Sequence, residues 1–173
     1  LIRSVVALED VSWSPGQPRY VSRPQNIGKA TTQGLELEAK FRLDQLIDDG
    51  PRTEVRANAS IFRSRVDAVP GPDNRLAEQP GGTLNFGVDH RFRGTPLTLG
   101  GNLNHTPGYR TRLEADRFIV QSEKNVLDAY ALWTFSPELK LRLSLSNALA
   151  PDTSSTTFVD SAALTETNRT TTR

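Results

Sequence analysis

The feature that most constrains this chain is an alternation of apolar and polar residues with a period of two. From Leu139 the odd positions read Leu139, Leu141, Leu143 and Leu145, and the even ones Lys140, Arg142, Ser144 and Ser146. Leu35, Leu37, Ala39, Phe41 and Leu43 alternate with Glu36, Glu38, Lys40 and Arg42. Val55, Ala57, Ala59 and Ile61 alternate with Glu54, Arg56, Asn58 and Ser60. Leu84, Phe86, Val88 and Phe92 stand opposite Asn85, Asp89 and Arg91, and Leu97, Leu99 and Leu103 opposite Thr98, Asn102 and Asn104. Successive side chains of a strand point to opposite faces, so each run builds a strand with one apolar and one polar face. Helical spacing explains none of them. The chain is predicted to be all-β.

That periodicity outweighs a composition that would otherwise suggest disorder, with 36% hydrophobic residues and a mean hydropathy of −0.47. The 21 basic and 20 acidic residues balance, which argues against the one-sided basic surface that nucleic acid requires. There is no cysteine, hence no disulfide framework, thiolate zinc site or catalytic thiol. The two histidines, His90 and His105, are too few for a metal centre, and His90 falls on the apolar face near an interface. No serine and histidine stand out as a hydrolase pair. No catalytic residue, resident metal or cofactor is therefore expected. Asn58-Ala59-Ser60, Asn104-His105-Thr106 and Asn168-Arg169-Thr170 match the glycosylation pattern by chance. No apolar run approaches the roughly 18 residues of a spanning helix, which leaves strands as the way to cross a membrane.

Strands are expected near residues 1–13, 19–43, 52–66, 82–92, 97–106, 122–135, 139–148 and 166–173. The joins after 43, 92 and 135 are compact: Asp44 to Pro51, Arg93-Gly94-Thr95-Pro96, and Ser136-Pro137-Glu138. Those after 66, 106 and 148 are long and polar. Outer-membrane barrels sort their connections in this way, with short periplasmic turns and longer extracellular loops. The fold expected is an antiparallel up-and-down transmembrane β-barrel section of roughly eight strands. Its last strand descends toward the periplasm. Glu36, Glu38, Lys40, Arg42, Arg56, Asp89, Arg91, Lys140 and Arg142 then face a polar lumen, where opposite signs pair with one another. Phe41, Phe92, Trp133 and Phe135 fall near strand ends, as an interfacial aromatic girdle does. Gly34, on the polar face, either marks a bulge or bend or allows close backbone approach by a plug inside the lumen.

Three stretches carry a resemblance. Asn26-Ile27-Gly28-Lys29-Ala30-Thr31-Thr32-Gln33-Gly34-Leu35-Glu36-Leu37-Glu38-Ala39 resembles a characteristic strand of TonB-dependent receptors. Pro80 to Phe92 resembles another, with His90 where an aromatic residue is usual. Leu127 to Trp133, followed by Leu139 to Leu149, is similar to that family's penultimate hairpin, whose strand ends in Asn147-Ala148-Leu149. The resemblance implies a barrel of about 22 strands around a plug. It also implies gating by TonB and location in the bacterial outer membrane, among its lipids. Residues 1–173 would form a single partial domain, the C-terminal section of that barrel. Plug, earlier strands and TonB contacts would lie outside it, and Asn168 to Arg173 would be a last strand cut short.

The cargo implied is a ferric siderophore or similar chelate, with iron present only as part of the cargo. Asp73, Asn74 and Arg75 in one long loop, and Tyr109, Arg110 and Arg112 in the next, are the candidate ligand contacts. Guanidinium forks and aromatic faces suit oxygen-rich, catechol-like anions. Two alternatives remain at this point: a soluble lipocalin-like barrel with its apolar face inward, and a passive porin-type barrel. An open section of sheet leaves unpaired edges, which aggregate in water. Expressed alone, residues 1–173 are expected to elute from size exclusion only as aggregate or detergent complex. A monodisperse detergent-free monomer would favour the lipocalin alternative.

Overall fold

A computed structural model describes residues 2–9, 16, 17, 19–160 and 165–172. Leu1, residues 10–13 of the first expected strand, and Arg173 lie outside these described residues. The strand segments are β1 (Ile2–Glu9), β2 (Arg19–Asn26), β3 (Ala30–Arg42), β4 (Thr53–Val66), β5 (Gly82–Arg91) and β6 (Leu97–Thr106). They continue with β7 (Tyr109–Arg112), β8 (Arg117–Gln121), β9 (Lys124–Thr134), β10 (Lys140–Leu145), β11 (Thr153–Asp160) and β12 (Thr165–Thr172). One helical turn, α1 (Leu43–Leu46), lies in the first compact join.

All pairings are antiparallel, in sheets ordered β1-β2, β10-β9-β6-β5-β4-β3 and β12-β11-β8-β7. The register joins these segments into longer strands. Thr106 faces Lys124, and three residues on Tyr109 faces Gln121, so the β6–β9 ladder runs in unbroken register into β7–β8. Beyond β10 the partner of Gln121 is Ser155, two residues later than the β9–β10 register would give. The excess lies in the irregular stretch 146–152, where Asn147 and Ala150 take positive φ. An even slip keeps every side chain on its own face. Joined in this way, the twelve segments form nine strands in chain order, the strand expected at 19–43 being divided into β2 and β3. Among the described residues the sheet does not close into a barrel.

Three expectations need correction. The strand placed at 19–43 is interrupted at 27–29, where Gly28 has φ 100° and donates its N–H to Asn26 Oδ1 at 3.0 Å. β2 consequently pairs with β1, and β3 with β4. Tyr109–Arg112, Arg117–Gln121 and residues 153–160 were expected in loops but form β7, β8 and β11. β7 and most of β11 are polar on each face, and β8 has apolar residues on both, so none of them shows an alternation to read. The first compact join contains the α1 turn, closed by Ile47 N–H to the Leu43 carbonyl at 3.0 Å.

The register then assembles the faces. Phe41, Val55, Val88, Gly101, Ala129 and Leu145 form one row across six strands; Ala39, Ala57, Phe86, Leu103 and Leu127 form the next. This apolar face is open. Leu37 is 60% exposed and Leu143 66%, and among the described residues only Val66 and Val69 are buried hydrophobics. A soluble barrel would have to enclose such side chains. Strands of 14 residues (β4) and 11 residues (β9) reach the roughly 9–11 needed to cross the hydrocarbon layer. Phe41, Phe92, Trp133 and Phe135, all exposed, gather at the ends joined by compact turns, with the Trp133 and Phe135 rings 6.3 Å apart. His90 faces the same side, with Nδ1 2.7 Å from Thr53 Oγ1 and its ring edge-on to Phe92.

Two neighbouring substitutions separate the faces. In the intact protein refolded into lipid vesicles, Leu143→Lys is expected to lose about 2–4 kcal/mol of folding stability in urea titrations. Ser144→Lys, one residue on but on the polar face, is expected to lose little.

Candidate functional site

The polar face is a network of charges. Lys40 Nζ lies 3.2 Å from Glu54 Oε1, which also accepts from an Arg56 guanidinium nitrogen at 3.1 Å. The other end of Arg56 reaches Asp89 across the neighbouring strand. Asp89 in turn accepts the Tyr130 hydroxyl, and the Arg142 guanidinium lies 4.1 Å from the Tyr130 ring centroid. Arg42 turns instead toward the compact join, its Nε donating to Asp44 Oδ1 at 3.1 Å. That bond chiefly holds the Asp44 carboxyl below its ordinary range. A recess of about 330 Å³ lies at this end, lined by Arg42, Arg52, Glu54, Asp89, Arg91 and Tyr130 among others.

The expected lumen residues share this face because they share a parity. Glu36 and Glu38 pair with Ser60 and Asn58, Arg91 with Thr98, and Lys140 with Thr134, all in polar rows. Glu54 and Tyr130 complete the network and were not anticipated as partners. Glu54 sits at an even position of its alternating run and was readable; Tyr130 is aromatic, and its role depends on strand order. It pairs across β6 with Gly100, itself opposite Asp89. A Cβ on Gly100 would collide with both the Tyr130 ring and the Asp89 carboxylate. Gly100 is thus the gap through which Tyr130 reaches over one strand to the next. Gly34 plays a similar part: the cross-strand Phe62 ring covers it, 2.8 Å from where a Cβ would stand. No bulge interrupts the β3–β4 register there.

The second cluster lies at the opposite end, where the long connections meet. Asn74 Nδ2 donates to the carbonyls of Val66 (3.1 Å) and Val69 (2.9 Å), and the Val66 N–H donates to the Asn74 carbonyl at 2.7 Å. Asn74 therefore clasps the β4–β5 loop. The Arg75 N–H donates to the Asp73 carbonyl at 2.9 Å, as does the Arg112 N–H at 2.8 Å, tying this loop to β7. Asp73 Oδ2 is 3.9 Å from Arg110 Nε. Both Arg110 and Arg112 lie over Phe118, at 4.1 and 4.5 Å from its centroid. Phe118 was missed because its neighbours Asp116 and Arg117 gave no strand pattern. Tyr109, grouped with the two arginines in sequence, projects from the opposite face of β7. Burial and then the charge of Glu78 raise its hydroxyl pKa, so at neutral pH it is a donor.

The Gly100 gap sets an expectation for the intact protein. Gly100→Val is expected to displace Tyr130 and cost more stability than Tyr130→Phe, which loses about 1 kcal/mol with its one hydrogen bond. Urea midpoints in vesicles compare the two. Equal midpoints would mean that the gap is not needed.

The sheet thus presents an open apolar face, a charged opposite face, and polar hairpins gathered at one end. No curated protein and no solved structure matches the chain. The family described as "TonB dependent receptor-like, beta-barrel" matches residues 3–158. Its members are transporters of the bacterial outer membrane that work with TonB and a plug, which sets aside the passive-porin alternative. With nearly the whole sequence matched, the chain belongs to the TonB-dependent receptor β-barrel family.

Proposed function

We propose that the receptor containing this barrel section imports an anionic ferric chelate of the siderophore type. The observation that supports this cargo is the pair Arg110 and Arg112 stacked on the single ring of Phe118. Because register is kept from β6 into β7, both arginines stand on the side that continues the charged lumenal face. Arg112 Nε is buried without a hydrogen-bond partner among the described residues. Arg110 holds Asp73 only loosely, at 3.9 Å and with both side chains well exposed, and such a pair is worth little. Two guanidinium donors beside an aromatic face suit a chelate of catecholate or carboxylate oxygens.

The transport cycle on this reading needs no covalent chemistry. The hairpins capture the chelate, and its charge is received by a lumen in which Lys40, Glu54, Arg56 and Asp89 are already paired. Energy delivered through TonB then opens the path. Asp73 and Arg75 act from the loop that Asn74 holds closed.

In the intact receptor, Arg110→Ala combined with Arg112→Ala is expected to weaken binding of a ferric tris-catecholate about tenfold to a hundredfold. Tryptophan-fluorescence titration would read this change, with heat-modifiable electrophoretic mobility reporting a folded barrel. An unchanged dissociation constant in a folded variant would overturn the assignment of this cargo to these arginines.

A further inference from the structure

The face of β7, β8 and β11 that points away from Arg110 and Arg112 holds a cavity of about 310 Å³, within the roughly 300–1,000 Å³ range of small-molecule sites. Its floor is a row set by register: Tyr109 faces Gln121, and Gln121 faces Ser155. At strand spacing of about 4.8 Å this row spans about 10 Å. Thr111 and Ile119, a second cross-strand pair, extend the floor, and the β4–β5 loop roofs it with Glu78.

The polar side chains here have no hydrogen-bond or ion-pair partner among the described residues. Thr111 is 1% exposed, and its hydroxyl oxygen is buried with no hydrogen bond. Among the described residues the side chains of Glu78, Tyr109, Gln121 and Ser155 likewise make no hydrogen bond or ion pair. A buried polar group left unbonded costs about 1–3 kcal/mol, so the Thr111 hydroxyl marks a place where something else bonds; half-buried Tyr109, Gln121 and Ser155 and exposed Glu78 stand open beside it.

The lining selects the chemistry. It contains no Lys or Arg, and its one charged residue is acidic, so it repels the anionic chelate suited to the other face. Three hydroxyls and an amide both donate and accept, the carboxylate accepts, and Ile119 offers an apolar patch. That mixture matches a neutral ring bearing hydroxyls on its rim and C–H groups on its face. We propose that this cavity binds one sugar residue. The sugar belongs either to a soluble saccharide or to a glycolipid of the surrounding leaflet, since this face continues the lipid-facing side of β6.

The test uses the intact receptor in detergent and two variants, Thr111→Val and Gln121→Leu. Saturation-transfer NMR with hexose and N-acetylhexosamine mono- and disaccharides is expected to show contact with the unmodified receptor. Each variant is expected to weaken the dissociation constant about five- to tenfold. Mass spectrometry of receptor extracted from its own membrane separates the sources. Glycolipid retained by the unmodified receptor and lost from the variants identifies the leaflet; saccharide binding without retained glycolipid identifies a soluble source. Heat-modifiable mobility verifies folding, and ferric tris-catecholate titration keeps this result separate from that of the Arg110–Arg112 site. The proposal is overturned if the folded receptor binds no sugar, if both variants bind it undiminished, or if only an alkylammonium probe binds.

Discussion

In hydrocarbon no water is present to satisfy a peptide N–H or carbonyl, so a chain that crosses a membrane in strands must pair every one of them with a neighbour. This condition makes the ladder the organising interaction of the structure. Side chains do little to hold the sheet together from within, since Val66 and Val69 are the only buried hydrophobics among the described residues. What a soluble protein achieves with a core is achieved here by antiparallel hydrogen bonding and by lipid against the leucine face. The consequence is a division of labour between parities. On β3, β4, β6, β9 and β10 odd positions such as Leu99, Leu103 and Leu141 need only be apolar while even ones are free to carry charge; on β5 the parities exchange, with Leu84 and Phe86 apolar and Asp89 and Arg91 charged.

The charged parity meets a different condition. Inside a confined lumen each ion loses part of its hydration, and pairing offsets that loss. Lys40, Glu54, Arg56 and Asp89 alternate in sign across β3, β4 and β5, and Tyr130 and Arg142 extend the chain to β9 and β10. Bonds that run across the ladder tie non-adjacent strands together, as Tyr130 does over Gly100. At the far end the register persists but the apolar pattern does not, because hairpins that project beyond the lipid have two wet faces. There the two faces of one short strand are free to diverge chemically: Arg110 and Arg112 on one side, Tyr109 and Thr111 on the other.

Much of this was legible beforehand. Most of the strands and the membership of their two faces follow from local alternation, and the sorting of short and long connections from the joins between them. The residues that parity groups on one polar face do share it. The segments 109–112 and 153–160 were not legible as strands, since polar residues on both faces leave no period to detect. Asn74 looked like a loop-tip ligand contact, yet its amide closes the loop, because a side chain two bonds from the backbone is equally able to bond inward. Phe118 and Tyr130 could not be placed, as each acts on residues more than five positions away or on another strand.

The sequence by itself determined the class of fold and the side of the sheet on which each residue stands. Both depend on the pleat, which sends neighbouring side chains to opposite faces wherever a strand forms. Only the tertiary structure decided which residues meet. Partnership depends on register, and register is settled by the whole ladder together, including the two-residue slip before β11 and the interruption at Gly28. A charge on the polar face is a local fact; its neutralising partner, or its freedom to hold a ligand, belongs to the strand alongside.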